Sequence, residues 1–159
     1  MYARDLASTA TPIGIVTVAA IGDRLESVRI GDDTVSRGTS SVARTAIDQI
    51  DAWFAGERID FAVALVQPAT DRGEELRQGL VAVGYGETIS YGALARQLGS
   101  SPRAIGQLCA RNPYPIIVPC HRVLGAGGVL GAYSAGDGAT TKAWLLAHEQ
   151  RHRPFTLTG

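Results

Sequence analysis

The 159-residue chain is 45% hydrophobic and 19% charged with a formal net charge of zero, the composition of a globular soluble protein and long enough for one domain or two small ones. No apolar run approaches the ~20 residues of a membrane span, and the opening "MYARDLASTATP" lacks a signal-peptide apolar block, so a cytoplasmic protein is expected. Two cysteines without C-x-x-C spacing, and three histidines confined to residues 121–152, exclude a disulfide framework and a zinc site in the first half.

The first 33 residues read as a meander of short strands, with turns at Pro12-Ile13-Gly14 and Gly22-Asp23 and β-branched runs in "IVTVAA" and "LESVRI". "SSVARTAIDQIDAWFAG" follows as an amphipathic helix: Val42, Ala46, Ile50 and Phe54 recur at i+4, Ile47 and Trp53 widen the stripe, and Gly56 ends it. "IDFAVALVQPAT" is expected to form another strand running into a loop. Together these make a small α+β unit over residues 1–69.

A second unit, residues 70–159, opens with "DRGEELRQGLVAVG", a helix expected to start from an Asp71 N-cap with Glu74 three residues on, burying Leu76, Leu80 and Val83. "SYGALARQLGSSPRAIGQLCARN" gives a short helix, a tight Gly99-Ser100-Ser101 turn and a helix opened by Pro102, a pattern shared by helix-turn-helix motifs and by many plain helical hairpins. "VLGAGGVLGAYSAG" reads as a hairpin, and "TTKAWLLAHEQRH" as a closing helix.

The zero net charge conceals an asymmetry. Residues 1–71 hold six Arg and ten acidic residues, whereas residues 72–159 hold nine basic and five acidic ones. A second half that meets phosphates would account for this, and so would mutual attraction between two subdomains.

"NPYPIIVPCHRV" (112–123) places Cys120 directly beside His121, behind Pro119 and at the end of an apolar run. A free thiol ionises near pH ~8.5 and burial would raise that value, so a nucleophile here needs a compensating base. His121 is the nearest one. Adjacent side chains in an extended strand diverge, so a Cys120–His121 contact requires a turn or a bridging water. Glu149 on the last helix is the natural group to orient the imidazole. The plain alternative is a small buried cysteine beside a surface histidine. A papain-like hydrolase lacks its second, distant histidine, and a zinc site lacks ligand spacing.

"PCHRV", preceded by "RAIG" and "NP", resembles the active-site signature of the O6-alkylguanine-DNA alkyltransferases. "TPIG", "AWFAG", "YGETISYGALA", "RAIGQLCARNPYPIIVPCHRVLGAGG" and "YSAG…K…LLAHE" occur in that family's order, strongly over residues 85–149 and loosely before them. The resemblance implies an α+β fold: a small ribonuclease-H-like sheet-plus-helix domain followed by a mostly helical winged helix-turn-helix domain. Double-stranded DNA would be the partner, met in the minor groove with the O6-alkylguanine flipped out. Cys120 would take the alkyl group irreversibly, in one turnover, without metal or cofactor, and O4-alkylthymine is a second candidate substrate. His121, through a water to Glu149, would activate the thiol, and Tyr91 would act on the target phosphate and the departing base. Arg103 would fill the vacated stack, with Ala104, Ser101 and Arg111 beside it on the DNA. Asn112 would hold the active-site turn. Tyr133, Ser134, Val123 and Pro115 would line the pocket, with carbonyls of Cys120 and Val123 accepting from the exocyclic amine. The protein would be a monomer, cooperativity on DNA being left open.

Some positions depart from the family pattern. Arg72 and Arg77 stand where bulky apolar residues are usual, and they are expected to pair with acidic groups of the first half. Gly84 replaces a usual proline, Ala135 a usual glycine, and the segment before Lys142 is longer than usual. Cys109 is read as helix packing. The competing functions are a non-catalytic sensor of alkylated DNA, against which Cys120 argues, and a DNA-binding regulator, for which no heptad seam is present.

Overall fold

The computed structural model describes residues 4–153. Three antiparallel strands, β1 (Asp5–Thr11), β2 (Gly14–Ile21) and β3 (Arg24–Gly31), pair in sequence order. Gly14 makes the β1–β2 turn possible: its φ is +114°, and a Cβ there would sit 2.8 Å from the Gly31 carbonyl oxygen. A register shift between Ala19 and Ala20 bulges the β2–β3 ladder.

Helix α1 (Ser41–Phe54) packs on this sheet, capped by the Ser40 side chain, which accepts from the Ala43 N–H. Asp5 of β1 anchors the same end by accepting from the backbone N–H groups of Thr39 and Ser40. These bonds, the one to Ser40 foremost, hold the Asp5 carboxyl at about 2. The buried stripe of α1 is Ala43, Ala46, Ile50 and Trp53. It is centred one residue away from the expected Val42 and Phe54, which lie at its half-buried edges.

The expected strand over "IDFAVALVQPAT" does not form. The segment is irregular apart from one bridge, in which Leu25 donates to the Ala64 carbonyl and accepts from the Val66 N–H. Its alternating pattern is satisfied by packing against β3 with a single rung of pairing.

Helix α2 (Asp71–Val81) begins one residue earlier than expected, because Thr70 and not Asp71 is the cap: Thr70 Oγ1 accepts from Gly73 N–H at 3.0 Å. Leu80 and Val83 are buried and Leu76 is partly so. Helices α3 (Tyr91–Leu98) and α4 (Pro102–Ala110) match their expected spans. Gly99 closes α3 in the left-handed conformation, and Ser90 and Ser101 cap the two helices. The predicted hairpin after Val123 is not a strand pair of its own. Strand β5 (Val123–Leu124) pairs in parallel with β4 (Ile89–Ser90), and the glycine turn beyond it is closed by Gly125 N–H donating to Val129 O. Helix α5 (Ala139–Arg151) ends the described chain.

One contiguous core joins both halves, from Val16, Leu25 and Trp53 to Leu94, Ile105, Ile116 and Leu145. No helix among the described residues is long and apolar enough to cross a membrane.

Candidate active site

The segment from Asn112 to Arg122 is folded tightly rather than extended. Asn112 accepts from Tyr114 N–H with its side-chain oxygen and donates from its amide to Val118 O, closing overlapping turns with one side chain. Ile116 carries φ +75° while 1% exposed. A β-branched residue adopts that conformation only where its surroundings over-determine it. Pro119 then leads into a single 3-10 turn, Cys120–Arg122, which supplies the bend that a Cys120–His121 site requires.

Cys120 is 3% exposed, and it lines a cavity of about 140 Å³ with Tyr91, Gly106, Cys109, Ala110, Ala132, Tyr133 and Ser134. The neighbouring Cys109 thiol and then burial push its thiol up from the ordinary value, opposed by Asn112 and the Lys142 charge. The resting group is therefore a thiol.

Behind it, His121 and Glu149 are both fully buried. His121 Nε2 lies 2.8 Å from Glu149 Oε2, a direct contact where a water-mediated one was expected. Burial, the largest influence on His121, lowers its pKa and outweighs the attraction of Glu149. The imidazole is thus neutral, and a proton on Nε2 donated to the carboxylate leaves Nδ1 as the acceptor. Nδ1 is buried without a hydrogen-bond partner among the described residues. For Glu149, burial pushes the carboxyl up, but the bonds and charges of His121 and Arg122 win and hold it at about 2. Arg122 reaches Glu149 through Nε at 2.9 Å and Nη2 at 2.7 Å, and Gly86 N–H donates to the same carboxylate at 3.1 Å.

Tyr91, the first residue of α3, lies in the cavity wall, and burial raises its phenol, so the hydroxyl keeps its proton. The Tyr133 hydroxyl is buried without a well-formed hydrogen bond, the backbone of Ile116 being within its reach, and its pKa is likewise raised by burial. Ser134 completes the rim. Pro115 and Val123 are buried but outside the cavity wall, and the Val123 carbonyl accepts from Lys142 Nζ at 2.6 Å. Ser101, Arg103 and Ala104 gather at the N-terminal end of α4, with the first two exposed, while Arg111 lies exposed at its other end.

Three contributors were not singled out in the sequence. Arg122 completes the carboxylate's coordination. Lys142, fully buried, bonds Val123 O and Ala132 O and lies 5.8 Å from the centre of the Tyr91 ring. Cys109, read as helix packing, does pack against the core and also shares the cavity wall with Cys120. The "YSAG…K" spacing pointed towards Lys142, but nothing local signalled its burial. Among the described residues, neither Arg72 nor Arg77 meets the acidic group of the first half that was expected: Arg72 bonds Glu75 of its own helix and the Leu98 carbonyl, and Arg77 donates to Val66 O at 2.9 Å.

Residues 73–151 match the family model described as the 6-O-methylguanine DNA methyltransferase DNA-binding domain. The methylated-DNA–protein-cysteine methyltransferase of Mycolicibacterium paratuberculosis is 37% identical, over 93% of each chain. The Mycobacterium tuberculosis O6-methylguanine methyltransferase crystal structure matches with TM-score 0.81 at 37% identity, covering 98% of each chain. The structure of the Mycobacterium tuberculosis protein in complex with DNA matches with TM-score 0.79 at 38% identity, covering 94% of each. A Thermus thermophilus protein named as a DNA base-flipping protein is 37% identical, over 87% of this chain and 95% of its own. On identity, coverage and a shared mixed α/β fold, the chain belongs to the methylated-DNA–protein-cysteine methyltransferase family.

Proposed function

We propose that this protein repairs DNA by direct reversal, moving the alkyl group of O6-alkylguanine onto Cys120. The observation that carries this reading is a cysteine on a cavity wall, on the turn whose His121 and Arg122 form a buried cluster with Glu149 of α5.

His121 Nδ1 takes the Cys120 proton through an intervening water, and the adjacent carboxylate stabilises the imidazolium that forms. The thiolate then attacks the alkyl carbon. As the C–S bond forms, the C–O bond breaks and its electron pair passes to guanine. Tyr91, still protonated, donates to the departing base and recovers its proton from the imidazolium by way of solvent. The net change places the alkyl group on sulfur and the thiol proton on guanine. No group on this chain can reverse a thioether, so each molecule acts once.

The basic second half, and the exposed Arg103 beside the Ser101-capped start of α4, support a phosphate-bearing partner. We take that partner to be duplex DNA approached through the minor groove by α4. The target nucleotide is turned out into the cavity, and Arg103 occupies its place in the stack. Residues 1–69 then serve as a ribonuclease-H-like support and residues 70–159 as a winged helix-turn-helix acceptor domain, acting as a monomer.

The Thermus relative, named for base flipping, raises a second reading, in which this chain turns a base out of DNA and transfers nothing from it. Titration of a methylated duplex against fixed protein separates the two. Transfer reaching a plateau at one methyl per molecule supports the transferase, continued turnover contradicts the single-use chemistry, and tight binding with no transfer leaves the flipping protein.

A further inference from the structure

Cys109 has no part in the transfer just described, yet the two thiols lie near enough to perturb each other's ionisation. It lies on the last turn of α4 and shares the 140 Å³ cavity with the nucleophile. Asn112 couples the two backbones. Its own N–H donates to Cys109 O at 3.3 Å, and its side-chain amide donates to Val118 O at 3.0 Å, two residues before Cys120. The two thiols differ in access: Cys109 is half-buried and Cys120 nearly sealed. Hydroperoxides therefore meet Cys109 first. Lys142 adds positive charge to the same space.

We propose that Cys109 and Cys120 form a reversible disulfide when the protein meets a hydroperoxide, Cys109 being the thiol first oxidised and Cys120 the one that closes the bond. The Cys109 thiolate, favoured by the neighbouring Cys120 thiol, attacks the peroxide. An S–O bond forms, the O–O bond breaks, and the peroxide leaves as water or an alcohol. Cys120 sulfur then attacks the sulfenic sulfur. The S–S bond forms, the S–O bond breaks, and the departing hydroxide takes the Cys120 proton as water. A dithiol reverses the sequence by exchange.

The sulfurs must close to about 2.05 Å, and the cavity beside Cys109 leaves room for the side-chain rotation this needs. While the bond stands, Cys120 cannot attack an alkyl carbon, and it is shielded from the sulfinic state that reductants do not restore. That consequence rests on the transferase reading, whereas the disulfide itself does not.

The test treats the reduced full-length protein with stoichiometric hydrogen peroxide and divides it: one portion is blocked with N-ethylmaleimide for intact mass and peptide map, and the other is freed of peroxide and assayed for methyl transfer. The expected product has lost two hydrogen atoms, yields one peptide pair joined through Cys109 and Cys120, and transfers in inverse proportion to the disulfide formed. Dithiothreitol restores its transfer. Cys109→Ser, treated alike and compared with its own reduced activity, yields no joined peptide and keeps its transfer, because the nearly sealed Cys120 meets peroxide slowly. Oxygen accumulating on wild-type Cys120 without a joined peptide overturns the proposal, as does a dithiothreitol-reversible loss of transfer in Cys109→Ser equal to that of wild type. A joined peptide in a protein that never transfers a methyl group leaves the disulfide standing and removes the transferase.

Discussion

The Tyr114 hydroxyl donates to the Leu25 carbonyl at 2.7 Å, joining residues 89 positions apart. It also accepts from Val66 N–H at 3.1 Å, and Pro113 O accepts from Val28 N–H at 2.8 Å. The turn that positions Cys120 is thus fastened to the edge of the sheet in the first half of the chain. This gives the sheet a function although none of its residues lines the cavity. Removing the hydroxyl in Tyr114→Phe leaves the ring in place and Leu25 O still paired with Val66 N–H. The expected cost is about 1 kcal/mol, read as a lowered urea midpoint at unchanged slope. A midpoint equal to wild type would mean that this fastening contributes nothing.

Glu149→Gln keeps the side-chain volume but removes the charge that Arg122 and His121 share. Arg122 is 6% exposed, and an uncompensated buried charge typically costs about 3–5 kcal/mol. The variant should therefore be strongly destabilised and, where still folded, transfer slowly, because His121 loses the partner that sets its tautomer. Near-wild-type stability and rate together would detach the carboxylate from both roles.

Acid should weaken the fold in two stages. His121 and His148 are both lowered from 6.5, chiefly by burial. Below that value the unfolded chain binds protons that the folded one refuses, and stability falls with pH. Glu149 is held at about 2 against an ordinary 4.5. Its contribution is complete above 4.5 and is lost as pH falls from there towards 2. Denaturant titrations at stepped pH check this, and stability constant from pH 7 to pH 4 would contradict it.

Arg77 extends over the Tyr114 ring at 5.2 Å and bonds Val66 O. Arg77→Leu should cost about 1 kcal/mol through loss of that bond and the cation–π contact. A clearly more stable leucine variant would show that the arginine is a burden at a site suited to an apolar anchor.

Local signals made much of the fold legible before any coordinates. Pro102 with its preceding serine, the turn glycine Gly99 and the period of α1 each act within a few residues, so pattern alone located those helices. The strand expected near Val63 failed because a pairing edge is a tertiary property. "FAVALV" has the right alternation, but only Leu25 offers it a rung. Cys120, His121 and Glu149 were found because a motif and one helix carried them. Cys109 and Lys142 were not, because what places Cys109 in the cavity wall and Lys142 on the Val123 and Ala132 carbonyls is the way α4 and the start of α5 pack against a turn, which no short stretch of sequence encodes. The arginines of α2 were assigned acidic partners in the first half from charge counting, whereas the Leu98 and Val66 carbonyls and Glu75 of the same helix satisfy both guanidinium groups.

The most direct test mixes stoichiometric reduced protein with a duplex containing one O6-methylguanine and measures intact mass, followed by peptide mapping. One added methyl group on Cys120, absent in Cys120→Ala, is the result this account predicts. An unchanged mass on protein that still binds the methylated duplex would contradict it and leave a protein that holds the lesion without removing it.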